Sequence, residues 1–219
     1  MDNTPDKRPV YEDGQTNTRK TRINIKGICT NTTECQSLPK DYVVMDFETT
    51  GLKEDSSKII QVAVYRYRDY IKTDELVTYV DPQEHIPEEI TELTGISDED
   101  VEGAPAIEII LPRLLSFIKG EIVVGHNIPF DLRFLAYNAQ ENGIKLLPIK
   151  YIDTLQLSRR YICGVDNYKL KTLKEYLGIV AASHSADEDC YVCGEVYRRC
   201  AATAGLKAME INSGTNYNG

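Results

Sequence analysis

Two carboxylates that follow an apolar run limit what this chain can fold into. The run from Tyr42 to Met45 is typical of a buried strand, and it leads directly into Asp46 and Glu48. Residues two apart on a strand point to the same face of a sheet, so both acids project together. Such a pair repels itself and loses solvation, and a bound divalent cation would remove that cost. Oxygen ligands of this kind suit Mg²⁺ or Mn²⁺.

Two later segments carry further acids and histidines. The second reads HNIPFD over residues 126–131, and the third reads HSADED over residues 184–189. Taken singly, each residue has an ordinary explanation. Asp131 and Asp189 fit first-turn acids that the helix macrodipole favours, and His184 fits a residue that bridges loops. The ordered combination of the three segments is what makes coincidence improbable.

Length and charge exclude several classes of protein. A chain of 219 residues can bury one full core plus tails. A net charge of −9 and a pI of about 4.9 argue against a protein that coats nucleic acid by charge alone. Residues 150–174 are nevertheless locally basic, which fits either a path for a nucleic-acid backbone or an ordinary solvated helical face. Without a membrane-length apolar stretch or a signal peptide, we expect a cytoplasmic protein with no membrane partner.

Periodicity divides the chain into three parts. Residues 1–38 are polar and aperiodic and are expected to form a disordered tail, residues 39–205 form the folded domain, and residues 206–219 form a flexible C-terminal tail. The domain begins with three strands and continues with alternating helices and strands. We therefore predict an α/β fold with a five-stranded mixed sheet flanked by helices. The strands are expected near residues 42–48, 58–68, 76–80, 122–124 and 150–153.

Six cysteines raise the question of a zinc site or disulfides. Cys190 and Cys193 form a CxxC pair, but the only other close pair, Cys29 and Cys35, has five residues between its members. Zinc ribbons usually have two tight pairs, so this signal is weak. We favour small buried side chains in the last predicted helix, which also carries Cys200.

The three segments together resemble a known family. DFETTG at residues 46–51, HNIPFD and HSADED look like the three motifs of the DEDDh 3′→5′ exonucleases, which include the proofreading epsilon subunit or domain of bacterial DNA polymerase III. The resemblance spans about Asp41 to Cys200 and includes LTGI at residues 93–96 and YKLKTL at residues 168–173. It implies a ribonuclease H-like fold and phosphodiester hydrolysis with two divalent cations, Mg²⁺ or Mn²⁺.

The resemblance also implies roles for individual residues. Asp46, Glu48 and Asp189 would bind one metal ion, and Asp46 would reach the second with help from Asp131. His184 would be the general base. Five further residues would line the pocket for the terminal nucleotide: Thr49, Leu52, His126, Asn127 and Phe130.

We therefore expect a metal-dependent exonuclease that releases nucleoside 5′-monophosphates from single-stranded DNA 3′ ends, in proofreading or repair. Two alternatives stay open: the same chemistry on RNA, and a polymerase-associated subunit that acts mainly by protein interaction. DFETTG and LTGI favour the DNA relatives, with a DNA polymerase as the candidate partner. A metal-free hydrolase that uses Asp46 and Glu48 fails, because further carboxylates in the same cavity would oppose ionisation.

Overall fold

The computed structural model describes residues 23–25, 28–30, 32–35, 37–180 and 186–214, and within them the chain forms eight strands. They are β1 (Ile23–Ile25), β2 (Ile28–Thr30), β3 (Thr32–Glu34), β4 (Tyr42–Thr49), β5 (Ile59–Arg68), β6 (Ile71–Tyr79), β7 (Ile122–Gly125) and β8 (Ile149–Asp153). The first two pair as a small hairpin, and the other six form one sheet in the order β3-β8-β7-β4-β5-β6.

The sheet is antiparallel on one side and parallel on the other. The first three predicted strands, β4, β5 and β6, form an antiparallel meander, and β5 turns into β6 through Asp69 and Tyr70. Both turn residues have positive φ (50° and 64°), as the two-residue turns that match strand twist require. Strands β7, β8 and β3 continue from β4 in parallel. β4 is therefore an interior strand with a partner on each side.

Seven helices accompany the sheet in the described residues: α1 (Glu88–Thr94), α2 (Asp98–Val101), α3 (Ile107–Ile118), α4 (Pro129–Glu141), α5 (Thr154–Tyr161), α6 (Leu170–Leu177) and α7 (Ala186–Gly214). α3 begins at Ile107 and continues past Pro112, which lies in its interior. None of the helices in this part of the chain combines the length and the apolarity needed to cross a bilayer.

The core lies on both faces of the sheet because the side chains of β4 alternate. Val43, Met45 and Phe47 pack with α3 and α4 in one apolar cluster. Tyr42 and Val44 pack with α7 in a second cluster on the opposite face. The result is a three-layer arrangement, helices–sheet–helices, which is a stable way to bury a sheet that is apolar on both faces.

The five predicted strands are all present, as β4 to β8, and the mixed sheet is confirmed. β3 adds a sixth, short edge strand that was not expected, and it lies with β1 and β2 inside the segment expected to be a tail. At the other end α7 continues to Gly214, past the residue 206 boundary expected for the C-terminal tail. Cys190, Cys193 and Cys200 are buried free thiols, as expected.

Candidate active site

β4 places Asp46 and Glu48 side by side beneath α7. Both follow Val44 on the face of the sheet that packs against this helix, and both remain partly exposed. The pairing of β4 with β5 shifts by one residue just beyond them: Glu48 pairs with Gln61, and Thr49 pairs with Ile59. Such a bulge redirects side chains at the end of a strand. The predicted common face of the two acids is thus present.

α7 brings a third acid to this pair. Asp189 lies in its first turn, and one ligand oxygen each from Asp46, Glu48 and Asp189 falls within a group whose members are all within 4.8 Å of one another. The three residues come from positions up to 143 apart in the chain, so their meeting is a product of the fold. Oxygens at this spacing can share one cation.

Asp131 is the fourth acid, and a hydrogen bond from the backbone of β4 holds its side chain in place. It lies in the first turn of α4, is only 3% exposed, and its Oδ1 accepts a hydrogen bond of 3.0 Å from the backbone amide of Phe47. Phe47 stands between Asp46 and Glu48 in β4. Asp131 therefore occupies a first-turn position, as the helix macrodipole favours, and also lies close to the strand that carries the other acids.

The acids raise one another's pKa values. Burial, followed by the charges of Asp131, Asp189 and Glu48, holds the pKa of Asp46 well above its usual range. Burial and Asp189 raise the pKa of Glu48 to about 7. Burial also raises the pKa of Asp131 to about 8, although the hydrogen bond from Phe47 opposes the shift.

The raised pKa values of these acids indicate whether a metal ion fits the site. Carboxylates with raised pKa values are partly protonated at neutral pH, because their negative charges are crowded and poorly solvated. A divalent cation at the common oxygens would restore ionisation, and an all-oxygen set is the chemistry that Mg²⁺ and Mn²⁺ prefer. The residues present therefore fit a divalent metal site.

The predicted general base, His184, lies outside the described residues. The described chain resumes at Ala186, two positions later, and Ala186 begins α7. The placement of His184 relative to the acids thus stays a prediction from the motif.

Thr49 and Leu52 lie at the end of β4 and just beyond it. Thr49 is buried and its hydroxyl donates a 2.7 Å hydrogen bond to the carbonyl of Gly51, which tightens the turn. Leu52 is 80% exposed. An apolar side chain presented to solvent in the loop that follows the acids of β4 is available for contact with a ligand.

The HNIPFD segment forms the turn between β7 and α4. Burial lowers the pKa of His126, so its ring is neutral, and both nitrogens have polar partners: Nε2 donates to the Tyr168 carbonyl (2.8 Å), and Nδ1 lies 3.0 Å from the hydroxyl oxygen of Thr154. Asn127 is exposed, with φ of 61°. Phe130 is partly buried, and its ring centre is 5.0 Å from that of Phe134.

Comparison with known proteins decides the family. Residues 43–197, well over half of the chain, match the RNase_T family model, whose description is Exonuclease. The chain belongs to this exonuclease family. The resemblance to DEDDh 3′→5′ exonucleases that the three motifs indicated is confirmed.

Relatives of this exonuclease-family chain include polymerase components. The PolC-type DNA polymerase III of Caldanaerobacter subterraneus is 37% identical over 182 residues, which cover 81% of this chain and 13% of that protein. The DNA polymerase III subunit epsilon of Aquifex aeolicus is 35% identical over 158 residues, 71% of this chain and 78% of that subunit. The chain thus spans a small part of the polymerase and most of the subunit.

A solved structure bears out the fold. Exonuclease X in complex with 5′ overhanging duplex DNA has a TM-score of 0.61 and 24% identity, and the match covers 75% of this chain and 93% of that chain. The likeness confirms the ribonuclease H-like sheet with flanking helices.

Two residues of β5 that contact the start of α7, Gln61 and Tyr65, were not predicted from the sequence of this exonuclease domain. Gln61 is buried and its Oε1 accepts a 3.0 Å hydrogen bond from the backbone amide of Ala186. The hydroxyl of Tyr65 donates to the carboxylate of Asp187. The available signal was Gln61 itself, a lone amide inside the apolar run IIQVAV.

The contacts of Arg133 were also not predicted from the sequence. Its Nε lies 3.5 Å from Oε2 of Glu54, and its guanidinium carbon lies 5.6 Å from the ring centre of Phe130. Glu54 belongs to the same loop as Leu52. Arg133 therefore ties the loop after β4 to the first turns of α4, which carry Asp131.

The predicted basic strip is partly occupied by internal contacts. The ammonium group of Lys174 pairs with the buried Glu188 of α7, and the hydroxyl of Tyr168 donates to the Ile162 carbonyl at 3.2 Å. Lys169 and Lys171 are exposed, as is Arg159. The surface that could meet a phosphate backbone is thus smaller than the sequence suggested.

Proposed function

We propose that this chain is a metal-dependent 3′→5′ exonuclease that releases nucleoside 5′-monophosphates from single-stranded DNA 3′ ends. The observation that carries the proposal is the convergence of Asp46, Glu48 and Asp189 within 4.8 Å, beside the buried Asp131. Family membership supports the reaction, and the relatives named as DNA polymerase III components support DNA as the substrate. Proofreading or repair is the process that these relatives favour.

The proposed metal ligands divide between two ions. Asp46, Glu48 and Asp189 would hold one divalent cation, and Asp46 with Asp131 would hold a second, with Mg²⁺ or Mn²⁺ as the ions. When bound, such a pair stabilises the attacking and the leaving oxygen of a phosphodiester. The chain contributes the spacing: β4 fixes Asp46 relative to Glu48, and the Phe47 amide fixes Asp131.

His184 is the proposed general base. An imidazole with the ordinary pKa of about 6.5 is mostly neutral near pH 7.5 and can take a proton from the attacking water. The support is its position in the HSADED motif, five residues before Asp189. The imidazolium would return this proton to solvent, and the 3′-oxygen released when the phosphodiester bond breaks would take a proton from water.

The nucleotide pocket is proposed to lie between the loop after β4 and the start of α4. Leu52 and Phe130 offer apolar surfaces to a base, with Thr49 and Asn127 beside them. Because both ring nitrogens of His126 are engaged, its proposed contribution is to hold the turn that presents Asn127 and Phe130.

One assay tests polarity, metal requirement and sugar preference together. Single-stranded DNA and RNA of equal length, labelled at the 3′ or the 5′ end, are incubated with Mg²⁺, Mn²⁺ or chelator. We expect early mononucleotide release from 3′-labelled DNA with metal only. Asp46→Ala should abolish release, whereas Glu92→Ala, an exposed acid on α1, should leave it unchanged. Faster digestion of RNA would favour the exoribonuclease alternative, and equal release by Asp46→Ala would refute the site.

A DNA polymerase is the proposed partner, because of the polymerase components among the relatives. Co-purification of the tagged chain with a polymerase, together with metal-dependent release, would support a proofreading role. Co-purification without any turnover would instead support a module that acts by protein interaction.

A further inference from the structure

We propose that Gln61 and Tyr65 of β5 are positioning residues for the first turn of α7. By fixing that turn they set the place of Asp189 relative to the two acids of β4. The inference rests on the proposed role of these acids as metal ligands. Gln61 and Tyr65 are not members of the ligand group itself; both hydrogen-bond to α7.

Gln61 holds the first residue of the helix. Its side-chain oxygen accepts from the amide of Ala186 at 3.0 Å, and the side chain is only 5% exposed. The first amides of a helix lack acceptors within the helix, so this bond satisfies a group that would otherwise be buried without a partner. Gln61 is also the register partner of Glu48. One residue therefore borders one proposed ligand and anchors the helix that carries another.

Tyr65 holds the next residue of the helix. Its hydroxyl donates to Asp187, and its ring lies under the ammonium group of Lys72, 3.5 Å from the ring centre. Between Gln61 and Tyr65 on the same face, the Ala63 carbonyl accepts from the Cys190 thiol at 3.3 Å. Three successive inward positions of β5 thus meet residues 186, 187 and 190, which bracket Asp189.

The start of a helix needs such external contacts. Its first turn has the fewest internal hydrogen bonds and frays most readily. Metal ligands must be held to within about 0.5 Å of their working geometry. Residues that orient metal ligands typically change metal affinity by 10- to 100-fold when they are replaced. Loss of either anchor should therefore loosen the hold of Asp189 on a metal ion.

The test compares three variants of the whole chain. Gln61→Leu keeps the volume and removes the acceptor, and Tyr65→Phe removes only the hydroxyl. Tyr197→Phe is the matched control, because its hydroxyl also ties α7 to the rest of the fold, through the Pro39 carbonyl at 2.8 Å, but far along the helix from Asp189. Mn²⁺ affinity is measured by titration calorimetry, and amide exchange is followed at residues 186–189.

We expect Gln61→Leu and Tyr65→Phe to raise the Kd for Mn²⁺ about tenfold and to speed amide exchange at residues 186–189. Tyr197→Phe should lower the melting temperature and leave both readouts at the wild-type value. The proposal is overturned if folded Tyr65→Phe binds Mn²⁺ like the wild type, or if Tyr197→Phe weakens binding equally. Should Gln61→Leu not fold, Tyr65→Phe decides alone.

The same titration separates this proposal from the proposed function. If wild type and Asp46→Ala bind Mn²⁺ equally, the metal site itself is wrong, and the positioning role fails with it. If the wild type binds Mn²⁺ and releases nucleotides while the β5 variants match it, only the positioning role fails.

Discussion

Asp131 accepts a hydrogen bond from the backbone amide of Phe47, the residue that separates the two acids of β4. This bond joins α4 to the strand at the point where the acids converge. It fixes a buried carboxylate whose pKa is raised by burial and by the charge of Glu48. Burial raises the pKa of Asp131 and the hydrogen bond from Phe47 lowers it, and substitutions can separate these two effects.

Asp131→Asn should keep the bond and remove the charge. We expect stability in chelator at or above the wild-type value, since one crowded acid is gone, and nucleotide release reduced on the order of 100-fold. In Asp131→Ala the free energy of unfolding should also fall by about 1–3 kcal/mol, because the Phe47 amide is left without an acceptor. Urea unfolding in EDTA and a 3′-label release assay measure both. Equal stability of the two variants would contradict the role of the bond.

The metal-free protein should become less stable as pH rises. The folded state raises the pKa of Glu48 from 4.5 to about 7 and that of Asp131 from 3.8 to about 8. Since the folded state binds these protons more tightly than the unfolded state, the stabilisation is complete below the unfolded values and is lost as pH passes the folded ones. Glu48→Gln should show a smaller loss of melting temperature in EDTA between pH 5 and pH 8. A loss equal to that of the wild type would argue against the shift.

Metal binding should release protons near neutral pH. Because Glu48 has a pKa of about 7, a cation at its oxygens competes with bound protons. Calorimetric titration with Mg²⁺ or Mn²⁺ at pH 7, in two buffers of different ionisation enthalpy, counts the protons. The count should fall at pH 9 and should be smaller in Glu48→Gln. A count of zero at pH 7 would mean that the acids are already ionised without metal.

His126 should matter for stability far more than His85. His126→Ala removes hydrogen bonds to the Tyr168 carbonyl and the Thr154 hydroxyl, and we expect a loss of about 1–3 kcal/mol. The ring of His85 is 79% exposed and pairs with Asp98, so the stability of His85→Ala should stay close to that of the wild type. Urea unfolding compares the two. Similar losses would show that the internal contacts of His126 contribute little.

Leu52 should affect substrate binding without affecting the fold. It is 80% exposed, and Leu93 on α1 is 72% exposed and serves as its control. We expect Leu52→Ala to raise KM for single-stranded DNA several-fold, as loss of an apolar contact of about 1 kcal/mol implies, with kcat little changed. Leu93→Ala should leave KM unchanged, and both melting temperatures should stay near the wild-type value. An unchanged KM in Leu52→Ala would remove this residue from the proposed pocket.

Local periodicity accounts for what the sequence predicted well. The alternation of side chains on a strand puts Asp46 and Glu48 on one face whatever the rest of the chain does. The apolar runs of β4, β5 and β7 can be recognised in the sequence, whereas β3, with the polar residues Thr-Thr-Glu, has no such signal. A three-residue edge strand depends on its neighbour β8 and not on its own composition.

Contacts between distant residues account for what was missed. The bond from Phe47 to Asp131 spans 84 positions and the bond from Ala186 to Gln61 spans 125. No periodicity encodes such partners. A buried polar residue in an apolar strand indicates only that some partner exists, because an unpaired buried amide would be costly. Gln61 carried that indication, but its partner emerged only from the fold.

The order of the acids along the chain also affects the protein during its synthesis. Asp46 and Glu48 leave the ribosome well before Asp189, which follows with α7, the last helix in the part of the chain that the structure describes. Until then the proposed set of metal ligands is incomplete, so the acids of β4 can meet their partner on α7 only after nearly the whole domain has been synthesised.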